Sequence, residues 1–199
     1  MLQKFQQNQE SLNPQLKKAI EDYCQFFGEN AQDFSPVFDL INKDSNLQDR
    51  KNMEGHLASQ GFLFNSDFSK VLLLHHKSLN MWIQPGGHMD AEDSDLVTAT
   101  KREVLEETGL SECIYLPVDE NNHLMPIRIC INGIPENPKK QEGNHVHFDL
   151  AYVFKTSDEN IVIDPSESNQ CKWVSFKEFA QNPRFAKIAL RIHSHLINQ

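Results

Sequence analysis

The sequence predicts a mixed α/β fold, an α/β/α sandwich that follows an N-terminal helical extension. Strand-like runs begin near residue 54 and are interleaved with a few helical ones, without a regular βαβ rhythm. Before that point, apolar residues recur at the 3.6-residue spacing of helices. The 199 residues suffice for one well-packed domain with a small extension. We therefore predict a helical extension over residues 1–53 and a single domain over residues 54–199.

The extension is predicted to hold two helices. Asn13 and Pro14 combine an N-cap side chain with the residue that tolerates the first turn, and Gly28 offers a helix end. A second short helix is expected from Ser35, and the polar residues 42–52 are expected to form a linker. The apolar stripe of the first helix needs burial, most simply against the domain that follows, or else against a partner or in a homodimer.

The domain begins with a predicted β-hairpin, because HLASQGFLFN and SKVLLLHHK flank a turn-like Asn-Ser-Asp. A helix is expected over residues 94–108, and a C-terminal helix is expected to follow Asn182 and Pro183. MWIQ is expected to be a third strand that ends at Pro85-Gly86-Gly87. Further strands are predicted at residues 113–116, 126–132, 145–154, 161–163 and 171–175.

Composition excludes several classes of protein. The net charge is −9, whereas proteins that coat nucleic acids are strongly basic, so we expect no stable nucleic-acid binding. The strongest apolar run, Val71 to Leu74, is too short to span a bilayer, and the four cysteines are widely spaced. We therefore expect a cytoplasmic protein with reduced thiols and no membrane association.

A cluster of carboxylates stands out in the helix predicted over residues 94–108. Glu103, Glu106 and Glu107 have i, i+3 and i+4 spacing, so they share one side of one turn. Like charges at this spacing destabilise a helix, and the negative C-terminal end of the dipole makes the position worse. Oxygen ligands for a hard divalent cation such as Mg²⁺ explain the cluster. Arg102 can orient a carboxylate, and a backbone carbonyl at Gly86 or Gly87 could add another ligand.

The segment from Arg102 to Leu110, REVLEETGL, resembles the second half of the Nudix box, the motif of the Nudix hydrolases. The first half departs from that pattern, because the stretch from Gly87 to Arg102 is one residue longer. The Nudix pattern has a glutamate in its first half, and in this sequence that position is occupied by Asp93 or Ser94, depending on where the extra residue is placed. We assign the extra residue to the loop before the helix, where chain length costs little.

The resemblance implies a mixed sheet between helices and a metal-dependent hydrolase. Its substrate would be a small molecule in which a nucleoside diphosphate is linked to another group, and water would attack one phosphorus. Carried over by position, Glu103, Glu106 and Glu107 would bind Mg²⁺ or Mn²⁺, together with the carbonyl of Gly86. Arg102 would orient the cluster. The rival function is a non-catalytic Nudix module that senses a nucleotide and regulates a partner, but the intact glutamates favour catalysis.

The general base would lie outside the box or be one of its glutamates. Glu167 lies six residues before Trp173, where many Nudix domains carry a glutamate near the metals. Glu142, in the loop before the strand at residue 145, is the other candidate.

Three polar residues alternate along the strand HVHFDLAYVF. Strand periodicity puts His145, His147 and Asp149 on the same face. They could form a metal trio, contact substrate phosphate or ribose, or be hydrogen-bonded structural groups. We favour substrate contact, because the glutamates already supply a hard-cation site. His88, beside the glycine loop, is a further candidate for substrate binding.

Overall fold

A computed structural model describes residues 12–138 and 142–197 of the chain. The first eleven residues of the predicted extension lie outside the described residues. The longer helices are α1 (Leu12–Phe27), α2 (Ser35–Asn42), α3 (Leu96–Thr108), α4 (Phe176–Gln181) and α5 (Ala186–Ile192). A 3₁₀ turn at Ala31–Phe34 joins α1 to α2, and a π-helical turn at His193–Ile197 follows α5.

Eight strands form one mixed sheet whose central path is β3-β2-β1-β7-β5. Their bounds are β1 (His56–Asn65), β2 (Lys70–His76), β3 (Met81–Ile83), β4 (Gly86–His88), β5 (Ile114–Leu116), β6 (Arg128–Ile134), β7 (His145–Thr156) and β8 (Ser168–Ser175). Only the pairing of β1 with β7 is parallel among the described strands, and it aligns His56 with His147. The short strand β4 pairs with the first half of β1, and β6 pairs with the first half of β7.

The sheet lies between two helical layers, which confirms the predicted sandwich. A Cβ at Gly61 of β1 would lie 2.8 Å from Val104 Cγ2, so this face of the strand is in close contact with α3. The next residue, Phe62, points to the other face and packs edge-on against Phe179 and Phe185 beside α4 and α5. Alternating side chains of one strand therefore fix both layers.

The helical extension packs on the same core. Leu16, Ile20 and Tyr23 of α1 are at most 3% exposed and belong to one buried cluster with the sheet. The buried Arg191 donates to the Tyr23 hydroxyl at 2.8 Å and also bonds Glu29. The apolar stripe of α1 is thus buried within the chain itself.

Most predicted elements are present, and four details differ. The predicted strand at residues 161–163 is wrong: this stretch forms no strand, and Val162 N donates instead to Thr108 O. The glycine loop forms β4 by pairing with β1, and α4 was not predicted. The last helix begins at Ala186, because residues 182–185 form a turn. None of the described helices is both long and apolar enough to cross a membrane.

Candidate active site

The carboxylate-bearing helix α3 has well-defined ends. Asp95 is its N-cap and accepts a hydrogen bond from Thr98 N at 2.8 Å. Gly109 ends it in the left-handed conformation, with φ 72°, and donates to Leu105 O. Between these ends, Glu103 and Glu107 lie against the glycine-containing strand β4.

Arg102 organises the carboxylates around it. Its Nε and Nη2 donate to the buried carboxylate of Asp93, with the closest contact at 2.9 Å. Its Nη1 donates to Glu103 at 3.0 Å and to Glu106 at 3.1 Å, and Nη2 also reaches the backbone oxygen of His88 at 2.9 Å. These bonds raise the pKa of Arg102, chiefly through Asp93. Asp93 and Ser94 were the two candidates for the position of the first glutamate of the Nudix pattern, and Asp93 is the one that contacts Arg102.

Glu103, Glu107 and Glu167 lie close together, with Glu107 buried, Glu103 half-buried and Glu167 exposed. Burial is the main cause that raises the pKa of Glu103 to about 7 and that of Glu107 to about 8. Glu167 raises both pKa values further, through its charge and through a hydrogen bond with Glu107. Glu107 is only 4% exposed, and its Oε2 accepts a bond from Gly86 N at 2.9 Å. The site thus concentrates carboxylate oxygens whose charges need compensation.

The other predicted carboxylates differ in their surroundings. Glu106 is more exposed than Glu103, with a side-chain exposure of 56%, and is held through Arg102. Glu142, the alternative base, instead forms an ion pair with Arg50 at 3.2 Å. The structure therefore brings Glu167, rather than Glu142, into contact with the box glutamates.

Two glycines allow β4 to approach both the sheet and the helix. Gly86 has φ 152°, and a Cβ there would lie 2.2 Å from the backbone oxygen of Ser59. A Cβ on Gly87 would lie 2.5 Å from Glu103 Oε1. The absence of a side chain at Gly86 therefore lets β4 lie against β1, and its absence at Gly87 leaves room for the Glu103 carboxylate.

A cavity of about 720 Å³ opens beside these glycines. Gly86, Gly87 and His88 form part of its wall, so it is adjacent to the glutamate cluster. Its lining also includes four basic side chains, Arg128, Arg184, Lys187 and Arg191. The glutamate cluster therefore lies beside the cavity at the glycines, and the four basic side chains form what we call its basic wall.

Four histidines gather at the start of β1 and β7. His147 Nε2 lies 3.0 Å from His145 Nε2 and 3.3 Å from His88 Nε2. The ring of His56 stacks on that of His145, with centroids 5.0 Å apart. Burial, and then the neighbouring imidazoles, lower the pKa of His147 to about 3. Burial also lowers the pKa of His56, so both rings are neutral at pH 7.

The remaining predicted residue, Asp149, is buried and lines the cavity together with His147. Its Oδ2 accepts a hydrogen bond from Asn132 at 2.5 Å. Burial raises its pKa, and the charge of Arg128 opposes that rise. Asp149 therefore lies between the histidines and the basic wall.

Five residues that line the cavity or join the histidines were missed from the sequence: His56, Arg128, Arg184, Lys187 and Arg191. A signal existed for His56, because it begins an apolar strand much as His145 does, and parallel pairing brings such strand starts together. No signal existed for the basic residues, because each is an ordinary arginine or lysine in the sequence until the fold brings them to one cavity.

Comparison with known proteins decides the family, because the NUDIX domain family matches residues 56–196. The chain belongs to the Nudix family. A probable DHNTP pyrophosphohydrolase of Lactococcus lactis is 26% identical over 152 residues, which cover 75% of this chain and 81% of that protein. A putative 8-oxo-dGTP diphosphatase of Bacillus subtilis is 26% identical over 110 residues, which cover 55% of this chain and 60% of that protein.

Solved structures agree on the Nudix fold. A NUDIX-family hydrolase from Clostridium perfringens has a TM-score of 0.54 and 19% identity, covering 72% of this chain and 98% of that one. The dihydroneopterin triphosphate pyrophosphohydrolase of E. coli has a TM-score of 0.51 and 17% identity, covering 72% of this chain and 96% of that one. The predictions of a Nudix fold and of an enzyme of the Nudix hydrolase family are thus confirmed.

Proposed function

We propose that this Nudix chain is a divalent-metal-dependent pyrophosphohydrolase. It would cleave the diphosphate linkage of a nucleoside diphosphate joined to another group, bound in the cavity beside Gly86 and Gly87. The observation that carries the proposal is the cluster of Glu103, Glu107 and Glu167 around the buried Glu107 carboxylate, next to that cavity. Perturbed carboxylates at the edge of a cavity are typical of catalytic sites.

The residues present fit a hard divalent cation. Glu103, Glu107 and Glu167 bring oxygen donors together without enough positive charge among them, since Arg102 contacts only Glu103 of the three. Mg²⁺ and Mn²⁺ prefer such oxygen ligands and leave coordination positions for water and phosphate. Glu103, Glu106 and Glu107 would hold the ion, with the backbone of Gly86 beside them. The bound cation would supply charge neutralisation at the phosphates and a more acidic water.

The chain's own residues would orient the reaction. Arg102 fixes Glu103 and Glu106 relative to each other, and Asp93 fixes Arg102. We assign Glu167 as the acceptor of the proton that the attacking water loses, because it lies against Glu107 and is not held by Arg102. Gly86 and Gly87 let the phosphates approach the carboxylates closely.

The basic wall would bind the anionic substrate. Among the described residues, neither Arg128 nor Arg184 forms an ion pair with a carboxylate, and Arg128 Nε is buried without a hydrogen-bond partner. Burial and the charge of Arg128 lower the pKa of Arg184, so the two cations repel each other until an anion binds. We infer a substrate with further phosphate oxygens beyond those at the metal, such as a triphosphate. The relatives named for DHNTP and 8-oxo-dGTP point to the same class.

The test is turnover of a substrate panel with Mg²⁺ or Mn²⁺. The panel contains dihydroneopterin triphosphate, 8-oxo-dGTP, ADP-ribose and a dinucleoside polyphosphate, and released pyrophosphate or phosphate is quantified. We expect hydrolysis of at least one compound, lost on chelation. Glu107→Gln is expected to reduce kcat by a factor on the order of 10² or more.

The matched control is Glu142→Gln, which changes a carboxylate outside the cluster and is expected to retain activity. Binding of a nucleotide without turnover of any panel member would instead favour the sensing module. Unchanged activity in Glu107→Gln would contradict the proposed site.

A further inference from the structure

We propose that His56, His145 and His147 form a second metal site, separate from the glutamates, for a transition metal ion of the Zn²⁺ class. Each of the three side chains offers one ligand atom, and these atoms all lie within 4.8 Å of one another. His88 adjoins the group as a fourth imidazole, with its ring centroid 5.1 Å from that of His56.

Two of the rings are held in the tautomer that a metal ligand requires. His145 Nδ1 lies 2.8 Å from Gly143 O, and His56 Nδ1 lies 3.1 Å from Asn52 O. A carbonyl oxygen only accepts hydrogen bonds, so each Nδ1 carries a proton, and in the neutral ring each Nε2 then carries the lone pair. Hydrogen bonding of the second nitrogen to a carbonyl is the usual outer support of a metal-binding histidine.

One buried nitrogen of the histidine group, His56 Nε2, has no hydrogen-bond partner among the described residues. His56 is only 2% exposed. His147 Nε2 faces the Nε2 atoms of both His145 and His88, but it carries at most one proton to donate. Unsatisfied buried acceptors are costly, and a cation that accepts several nitrogen lone pairs at once removes that cost.

The geometry suits a small ion with nitrogen ligands. Zn²⁺ binds imidazole at 2.0–2.1 Å in a tetrahedral arrangement, which separates its ligand atoms by about 3.4 Å. Within the trio, His145 Nε2 and His147 Nε2 are 3.0 Å apart, close to that value, and no two ligand atoms are more than 4.8 Å apart, so binding requires only a small inward rotation of the rings. Neutral imidazoles without a carboxylate favour Zn²⁺ and related ions over Mg²⁺, so the two sites select different metals.

The position of the site explains what such an ion would do. His56 begins β1, His145 and His147 begin β7, and His88 ends β4. One ion would therefore tie β1 to β7 at the end of the cavity where His147 forms the wall, with His88 of β4 in contact with His147 there. Because the backbone of His88 is also bonded to Arg102, the ion would stiffen the support of the glutamate site without taking part in it.

The experiment uses Co²⁺ as a spectroscopic substitute for Zn²⁺. Full-length protein treated with a chelator is titrated with Co²⁺ in excess Mg²⁺, and visible absorption is recorded. Tetrahedral nitrogen coordination gives strong d–d bands, whereas octahedral oxygen coordination gives weak ones. We expect strong bands that saturate at one equivalent, disappear when Zn²⁺ is added, and accompany a rise in the midpoint of thermal unfolding.

Variants assign the site. His147→Gln, which nearly preserves size, and His145→Ala are each expected to weaken Co²⁺ binding by about tenfold or more. His123→Ala changes an exposed histidine outside the cluster and is expected to bind as the wild type does. Glu107→Gln is expected to keep the strong bands, because its carboxylate belongs to the other site. Circular dichroism of each metal-free variant checks that it folds.

Two outcomes would overturn the proposal. One is wild-type protein that gives no strong Co²⁺ bands and no thermal shift with Zn²⁺. The other is a spectrum that survives in His147→Gln but is lost in Glu107→Gln, which would locate the ion at the glutamates.

Discussion

Gly87→Ala tests whether the position of Glu103 matters to catalysis, because the change adds one methyl group beside it. The added Cβ would lie 2.5 Å from Glu103 Oε1 and 2.6 Å from its Cδ. To reach an ordinary contact of 3.4 Å, the carboxylate would have to retreat by about 0.9 Å. The atoms that must move are the end of a flexible side chain, so the backbone of β4 can stay in place.

The expected effect is a loss of activity without a loss of fold. A displacement of about 1 Å in a catalytic group can reduce the rate by a factor on the order of 10². Replacing glycine by alanine at a backbone conformation that alanine tolerates changes stability by only about 0.4–1 kcal/mol, in the stabilising direction. We therefore expect kcat/KM to fall about 100-fold, while the thermal midpoint stays within a few degrees of wild type.

The assay pairs steady-state kinetics on the best panel substrate with thermal unfolding. Gly133→Ala is the matched control, since a Cβ there meets nothing within 4 Å, and both readouts should be unchanged. Gly61→Ala should lower both readouts, because its Cβ would lie 2.8 Å from Val104 Cγ2 and would push α3, with its glutamates, away from the sheet. A folded Gly87→Ala enzyme with activity within twofold of wild type would refute the assignment of Glu103.

Three further predictions concern the buried charges. The folded chain keeps the Glu107 proton up to a pKa of about 8, against 4.5 for the ordinary group, so metal-free wild type loses stability as pH rises through that window. Glu107→Gln avoids this loss, so its free energy of unfolding at pH 9 should exceed that of metal-free wild type by roughly a few kcal/mol. At pH 4 the two proteins should differ little, and thermal unfolding at both pH values measures the difference. Arg128→Gln should raise KM about tenfold with little change in kcat, since it removes a charged hydrogen-bond donor to the substrate. Arg191→Met should lower the free energy of unfolding in urea by about 3 kcal/mol, because it leaves Tyr23 and Glu29 without their buried partner; a loss below 0.5 kcal/mol would contradict that role.

Local patterns in the sequence predicted much of the fold and of the glutamate site. The i, i+3, i+4 spacing of the glutamates and the helix end at Gly109 depend only on neighbouring residues, and α3 reproduces both. The hairpin of β1 and β2 follows from alternation and a turn in the same way. The failed strand at 161–163 has apolar residues, but its backbone bonds to the end of α3 rather than to another strand.

Long-range pairing explains what the sequence left undetermined. The register that aligns His56 with His147 joins residues 91 positions apart through a parallel pairing, and no local pattern specifies it. The bond from Arg102 to Asp93 likewise depends on how the loop before α3 folds back. The alternation of His145 and His147 was visible, but the fourfold gathering of histidines required the sheet.

The location of positive charge shows why net charge is a poor guide to the substrate of this protein. The chain carries −9 overall, yet Arg128 and Arg184 face one cavity, and the clustered carboxylates lie beside the glycines of the same cavity. The strand β1 links the two ends. Its Ser59 and Gln60 pair with the glycine strand β4, its Gln60 side chain accepts a bond from Arg128 at 2.6 Å, and its Gly61 admits α3. The strand β1 therefore sets the distance between the glutamate cluster and the arginines of the cavity. A change in its register would displace both groups, although the net charge of the chain would stay the same.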